Sequence, residues 1–554
     1  MREIPLDDIF SPKALRLGWD RYVRGRQKLS KDRRGIYAFG AALDENLMDL
    51  SQAILAGKVE PRTPAKFYHP KANGMQRTFT VLQVEDAIIY QALANAIATE
   101  TYEQRCEKTP FIFANRLNSD VSQGTAILDD ADANLFFFQR WEPSWKLFRD
   151  AVDGILDQSA SVFEFATDIT GFFDGVPQSL LLDTLTRAGL PEQARDWLGR
   201  ALAIWSGTRE GSTPGVGIPQ GPDASAFFAD LFLDPLDQQL GEQGLKYFRY
   251  VDDIRIFSHD RAELRRHLVQ IDRWLKTRGL SLNAKKTSIQ KVDASNRDDF
   301  RIHFEYGDEL TAAQSNRNRQ DVSIAEQVGS IITSGPVLNH FLGDLVREAR
   351  SKLVEIGKSI QNESPMLGDL PFVGKQTRDA TKILEDMGAD APSEDIDILI
   401  DEVLPMWLDL LLEEEVFPQL RHIIWALSAF PTDPRAQAGL IRALHHYQDY
   451  ESIQQEILQN LSRFHPTDQV LAQTVLPLAR DTSLSWYPRT EAFLLILKHA
   501  RDPQLRASAK LSSQRDESPQ LKRELALWSA QNVSEDEIDA MLETYSSPSE
   551  SETA

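Results

Sequence analysis

The sequence predicts an α+β fold followed by an all-α domain, and three observations carry that reading. Residues 162–169 (VFEFATDI) are an apolar run of strand length. Residues 245–249 and 254–258 alternate apolar and polar side chains on either side of Tyr250-Val251-Asp252-Asp253, the pattern of a β-hairpin with an acidic tip. From about Ile324 strand signals stop and apolar residues recur at helical spacing. That part carries a loose repeat: Pro431-Thr432-Asp433 and Pro466-Thr467-Asp468 open apolar helices 35 residues apart, and Asp502-Pro503 opens another about 35 residues on. Thr and Asp are good helix N-caps, and helix pairs at this period stack into HEAT-like solenoids; a non-repetitive bundle also fits.

In chain order, residues 1–60 read as an N-terminal helical basic segment, with Leu43, Leu47, Leu50 and Ile54 on one face until Gly57 ends the run. Residues 61–160 begin with a Pro-, Lys- and Gly-rich stretch, continue through a strand at 78–82 and a helix at 84–103 with Ile89, Leu93, Ala96 and Ile97 on one face, and include a helix at 141–155. Residues 161–300 hold the strand and hairpin above. They also hold helices at 176–185, 192–204, 224–240 and 261–278 and a glycine-rich loop at 208–221. Residues 301–545 are the helical repeat domain, and 546–554 (SSPSESETA) a disordered tail.

At 554 residues the chain has room for two to four domains. Its single cysteine, Cys106, excludes an internal disulfide or a cysteine-based zinc cluster and suits a reducing cytoplasm. No apolar run is long enough to span a membrane and the N-terminus has no signal-peptide core, so the expectation is a cytoplasmic protein without a membrane partner. The net charge of −22 speaks against nucleic acid until it is divided: residues 1–300 carry 38 basic and 42 acidic side chains, which leaves −18 on the remainder. Residues 1–80 are basic, 15 against 9, with a cluster at 21–34 (RYVRGRQKLSKDRR). A polyanion could thus be confined to the first half, although a solvated helix surface explains the cluster equally well.

Two adjacent carboxylates at a hairpin tip repel unless a cation neutralises them, and a hard divalent ion such as Mg²⁺ is the natural partner. Taken alone, the four residues also fit an exposed acidic turn. Two-metal phosphoryl transfer needs a further carboxylate, and Asp168, at the end of the apolar strand, is placed to supply it.

These residues belong to a longer series. FATDITGFFD (165–174), IPQGPDAS (218–225), YVDD (250–253) and GLSLNAKKT (279–287) resemble, in order and spacing, the successive palm motifs of reverse transcriptases. PKANGMQR (70–77) and DAIIYQAL (86–93) resemble the fingers of the same family. The resemblance covers residues 35–295. It implies right-hand-like fingers at 61–160, a palm at 161–300, and a helical domain in place of a thumb. It further implies two Mg²⁺ ions held by Asp168, Ile169, Asp252 and Asp253, with the three aspartates catalytic. The nucleotide would meet Lys71, Arg77, Gly171, Phe172, Phe173, Gln220 and Lys286. Phe173 would exclude a 2′-hydroxyl, and Lys286 would neutralise or protonate the leaving pyrophosphate.

A palm followed by a long acidic helical region is similar to the bacterial abortive-infection reverse transcriptases, an antiphage defence class. That resemblance implies deoxynucleoside triphosphate substrates, a homo-oligomer, and untemplated synthesis primed on a tyrosine so that DNA stays attached to the protein. Tyr22 and Tyr37, in the basic segment, are the candidates for priming. Two alternatives stay open: templated cDNA synthesis from a dedicated non-coding RNA, and a non-catalytic assembly module.

Overall fold

A computed structural model describes residues 3–25, 31–70, 76–106, 111–118, 136–139, 141–206, 215–301, 335–361, 369–387, 392–413, 419–528 and 537–538. These fall into two compact units, one within Met1–Lys66 and Phe79–His303, the other within Phe67–Thr78 and Phe304–Glu535. The tail at 546–554 lies outside the described residues.

In the first unit, Ser11 opens helix α1 (Pro12–Arg24) by accepting the Ala14 N–H on its side chain, and Pro12 sits where its missing N–H costs nothing. Helix α2 (Leu43–Leu55) follows; strands β1 (Ala65–Pro70) and β2 (Gln76–Val81) form a two-stranded sheet whose residues 67–78 fall in the second unit. Helix α3 (Val84–Cys106) is buried around most of its circumference: Ile88, Ile89, Tyr90, Leu93, Ala94 and Ile97 have no exposed surface. The single apolar face read from the sequence is therefore too narrow, because α3 is a central helix covered on several sides. One of its covers is α1, which approaches so closely at Gly18 that a Cβ there would lie 2.8 Å from the Ile88 carbonyl oxygen. Gly18→Ala is expected to cost about 1–3 kcal/mol, the usual cost of overpacking, read as a lower urea midpoint.

Helix α4 (Trp141–Gln158) precedes β3 (Ser161–Thr167). Helices α5 (Gln178–Arg187), α6 (Glu192–Trp205) and α7 (Asp223–Glu242) follow, then β4 (Lys246–Tyr250), β5 (Asp253–Ser258), α8 (Arg261–Lys276) and β6 (Ser288–Asp293). The four strands make one antiparallel sheet in the order β4-β5-β3-β6. Its register pairs Thr167 with Ile254 and Ala166 with Arg255, so alternate residues separate cleanly. Phe165, Tyr247, Ile254 and Ile256 face a core built with α7 and α8. Val162, Phe248, Phe257 and Val292 face the other way, against Phe148, Val152 and Leu156 of α4. Strand β1 falls in the Pro-, Lys- and Gly-rich stretch and β6 at 288–293, where the sequence reading assigned no element, since lysine- and polar-rich sequences mask the period-two signal there.

From residue 335 on, the described residues of the second unit hold helices and no strand, beginning with α9 (Gly335–Gln361) and α10 (Leu370–Met387), which pack together. Two later helices widen by one residue per turn at Leu399–Val403 and Leu471–Val475, 72 positions apart. Each widening runs into a Leu-Pro pair, Leu404-Pro405 and Leu476-Pro477. A proline cannot donate to the carbonyl four residues back, and the wider turn accommodates that lost bond. Hydrogen bonds link positions 32–36 residues apart: Arg435 to the Ile400 carbonyl, the Tyr447 hydroxyl to the Leu411 carbonyl, and Gln459 to Glu491. Asp468 likewise accepts the Arg501 and Asp502 N–H groups.

Candidate active site

The sheet register brings the predicted carboxylates together. Asp168 directly follows β3, and with the alternation continued it shares a face with Glu164 and Ala166, opposite Asp253 and Arg255 of β5. Its main chain is held from the other side, where the Asn283 N–H donates to the Asp168 carbonyl and the Thr170 N–H to the Ser281 carbonyl, both at 2.9 Å. These bonds set Ile169 opposite Leu282 in a pair whose own N–H and carbonyl groups point away from each other, which turns the Ile169 carbonyl toward the β5 side.

Lys286 reaches the same place from the turn after Leu282. Asn283 builds that turn, accepting the Lys286 and Thr287 N–H groups on its carbonyl and the Lys285 N–H on its side chain. The Thr287 hydroxyl lies 2.7 Å from that of Thr167 and ties the turn to β3. The Lys286 Nζ sits 2.7 Å from Asp168 Oδ2, while Asp168 Oδ1 is buried with no hydrogen-bond partner. Burial, together with the charges of Asp252 and Asp168, pushes the Asp253 carboxyl up to about 6, against the pull of Lys286 and Arg255. Lys286 thus pairs with Asp168 and pulls on Asp253, while Asp252 lies close enough to Asp253 to repel it. Among the described residues no three His, Cys, Asp or Glu side chains already surround a common point at ligand distance; the Lys286 ammonium takes one Asp168 oxygen instead.

Val251 and Asp252 form the hairpin loop between the paired Tyr250 and Asp253. Val251 has φ +56°, a strained value for a β-branched residue, at a position where such loops ordinarily carry glycine. Behind the loop lies a buried cluster that the sequence reading missed. Arg249, with no exposed surface, donates to both carboxylate oxygens of Asp237 at 2.9 and 2.7 Å, to Asp230 at 2.7 Å, and to the Val251 carbonyl at 2.7 Å. The Tyr247 hydroxyl also donates to Asp237. The signal was available: Arg249 occupies an inward position of an alternating strand, and Asp230 and Asp237, seven residues apart, share one face of an apolar helix. Tyr250 points the other way, its ring 4.6 Å from Trp145 and 5.5 Å from Phe148.

A second wall stands around Phe173. Gly171 has φ +54° and ψ +42° and starts the short turn Phe172–Gly175. Phe172 is buried and Phe173 half-buried, their rings 5.8 Å apart. The Ile218 N–H donates to the Phe173 carbonyl at 2.9 Å, and the Thr80 N–H to the Gln220 carbonyl at 3.0 Å. Another residue missed from the sequence, Lys66, donates to the Thr80 hydroxyl at 2.8 Å; burial lowers its ammonium to about 8 despite the nearby Asp174. Arg77 lies on β2 with an exposed side chain, and Lys71 is outside the described residues.

The priming candidates fare differently from the carboxylates. Tyr22 is 9% exposed, its hydroxyl accepts the Asp32 N–H, and burial raises its phenol well above the usual range. In this structure that hydroxyl is enclosed rather than presented to solvent. Tyr37 is half-buried.

Comparison with known proteins bears on this geometry. Residues 70–314 match the family described as reverse transcriptase (RNA-dependent DNA polymerase). No curated protein matches the chain. Among solved structures, telomerase from Candida albicans with a TWJ fragment of telomeric RNA is 10% identical, covering 71% of this chain and 66% of that one at a TM-score of 0.30. Telomerase from Candida tropicalis with the same kind of fragment is 11% identical, covering 72% and 66% at 0.31. The apo form of that telomerase is 10% identical, covering 73% and 72% at 0.30. The chain spans 66% of the length of the first two, and scores at this level do not establish a shared overall fold. The carboxylates brought together by the register of the sheet all lie within 70–314, the segment that matches the reverse transcriptase family.

Proposed function

We propose that the protein polymerises deoxynucleotides at a site in which Asp168, Asp252 and Asp253, with the Ile169 carbonyl, hold two Mg²⁺ ions. The observation that carries this reading is the buried, unpartnered Oδ1 of Asp168 beside an Asp253 carboxyl pushed up by its acidic neighbours. Hard oxygen donors with surplus negative charge suit Mg²⁺. When bound, such ions supply activation of an attacking 3′-hydroxyl and neutralisation of a leaving pyrophosphate. Lys286 exchanges its hold on Asp168 for the pyrophosphate oxygens and gives them charge or a proton. Phe173 closes the pocket to a 2′-hydroxyl, Gln220 and the N–H groups near Gly171 and Phe172 orient the nucleotide, and Lys71 and Arg77 grip its phosphates.

Lys66, tied to the Gln220 loop through Thr80, adds positive charge to the nucleotide wall. Its charge is complete well below pH 8 and is lost as pH rises through 8. The KM for deoxynucleotide is therefore expected to climb above about pH 8, and Lys66→Arg to flatten that rise, in initial-rate assays from pH 6.5 to 9.5.

We extend the reading to antiphage defence by untemplated, protein-primed synthesis in a homo-oligomer. Its support is the resemblance of the palm motifs, joined to a helical unit with hydrogen bonds at 32–36-residue spacing, as a HEAT-like array would have. The −18 charge of residues 301–554 also suits a duplex-gripping thumb poorly. The test incubates the full chain with Mg²⁺ and labelled deoxynucleotides. Label that stays with denatured protein and is released by protease supports priming on the protein; label that separates freely overturns it. A second reading, copying of a bound RNA, is favoured by the family match, and a defined RNA sequenced from the purified protein would select it.

A further inference from the structure

Arg249 lies behind the turn that carries Asp252, on the sheet face opposite the cleft. It touches the turn itself. One nitrogen of its guanidinium, Nη1, donates to both Asp230 and the Val251 carbonyl, each at 2.7 Å, while Nε and Nη2 engage Asp237 as a fork. Both carboxylates lie on α7, whose first residue, Asp223, follows the Gln220-Gly221-Pro222 loop directly. The helix therefore joins the nucleotide loop to the carbonyl of the one residue in the turn with a positive φ.

That residue would relax if released. Valine at φ +56° is held against its own preference, so the surrounding structure must hold it there. The bond from Nη1 to its carbonyl does so, and Asp252 is the next residue. Resting on the metal-site reading above, we propose that Arg249 is a positioning residue: by clamping the Val251 carbonyl to α7 it fixes Asp252 for its divalent cation. The bonds of the clamp run through a guanidinium fork that a lysine ammonium cannot reproduce.

The test is Mn²⁺ binding to the full-length protein, followed by electron paramagnetic resonance without nucleotide, in wild type, Asp252→Asn, Arg249→Lys, Asp237→Asn, Val251→Gly and the Arg249→Lys/Val251→Gly pair. Arg249→Lys and Asp237→Asn are each expected to weaken Mn²⁺ about tenfold to a hundredfold. Glycine at 251 has no φ penalty, so the double variant is expected to recover to within about threefold of Val251→Gly alone. A purely structural arginine would show no such rescue. If Asp252→Asn leaves Mn²⁺ binding unchanged, the metal-site reading itself fails. If Asp252→Asn abolishes binding while Asp237→Asn and Arg249→Lys do not weaken it, or glycine does not rescue, the metal site stands and the clamp is overturned. Should Arg249→Lys not fold, Asp237→Asn with and without Val251→Gly decides the same question.

Discussion

Asp252→Asn and Asp168→Asn are each expected to lower deoxynucleotide incorporation by about a thousandfold, with the melting temperature unchanged or raised. The two effects have one cause. Charges that attract a cation also repel one another, and Asp253 registers that repulsion as a carboxyl pushed up to about 6. Removing either neighbouring charge relieves Asp253 while removing a donor the reaction needs. A primer-extension assay and a thermal melt on the same preparations check both halves. The rival in which the palm only scaffolds an assembly makes the opposite forecast, since both variants would then keep full biological activity. For Asp168→Asn the relief is smaller, because the substitution also gives up the Lys286 ion pair, although that lysine is 63% exposed and the pair is worth little in water.

Arg249→Met is expected to destabilise the first unit by about 3–5 kcal/mol in urea unfolding, the range for breaking a buried ion pair from one side. Asp230 and Asp237 are 1% and 3% exposed, and without the guanidinium both stand uncompensated in the core. They answer by taking up protons. The folded variant then binds more protons than the unfolded chain, whose carboxylates ionise near their ordinary values, so the loss should shrink as pH falls from 8 toward 5. A loss independent of pH would mean that water reaches the carboxylates and that the cluster is less sealed than its exposure indicates.

How much of this was legible beforehand depends on the kind of signal. Asp168, Asp252, Asp253 and Lys286 were readable because each sits in a contiguous motif, and the register of β3 with β5 then explains why distant motifs meet. The hairpin was readable from its alternation. Arg249, Asp230 and Asp237 were not found because their partnership is tertiary: the strand alternation turns Arg249 inward and the helix puts both aspartates on one face, but neither pattern says that the two faces meet. Lys66 was lost for a related reason: its strand is too polar to show a period, and only the bond to Thr80 reveals where the ammonium goes. The basic composition around Tyr22 concealed its burial.

The outer edge of β4 has a consequence of another kind. Segment 111–113 runs along it in parallel, with the Phe113 N–H donating to the Arg249 carbonyl and the Arg249 N–H to the Phe111 carbonyl. An uncovered strand edge is a template for another chain, and this cover is itself Phe-Ile-Phe. Detachment would therefore bare an unpaired ladder and an apolar β-prone tripeptide at once, so the strip that covers this sheet is also where self-association would begin when the fold loosens.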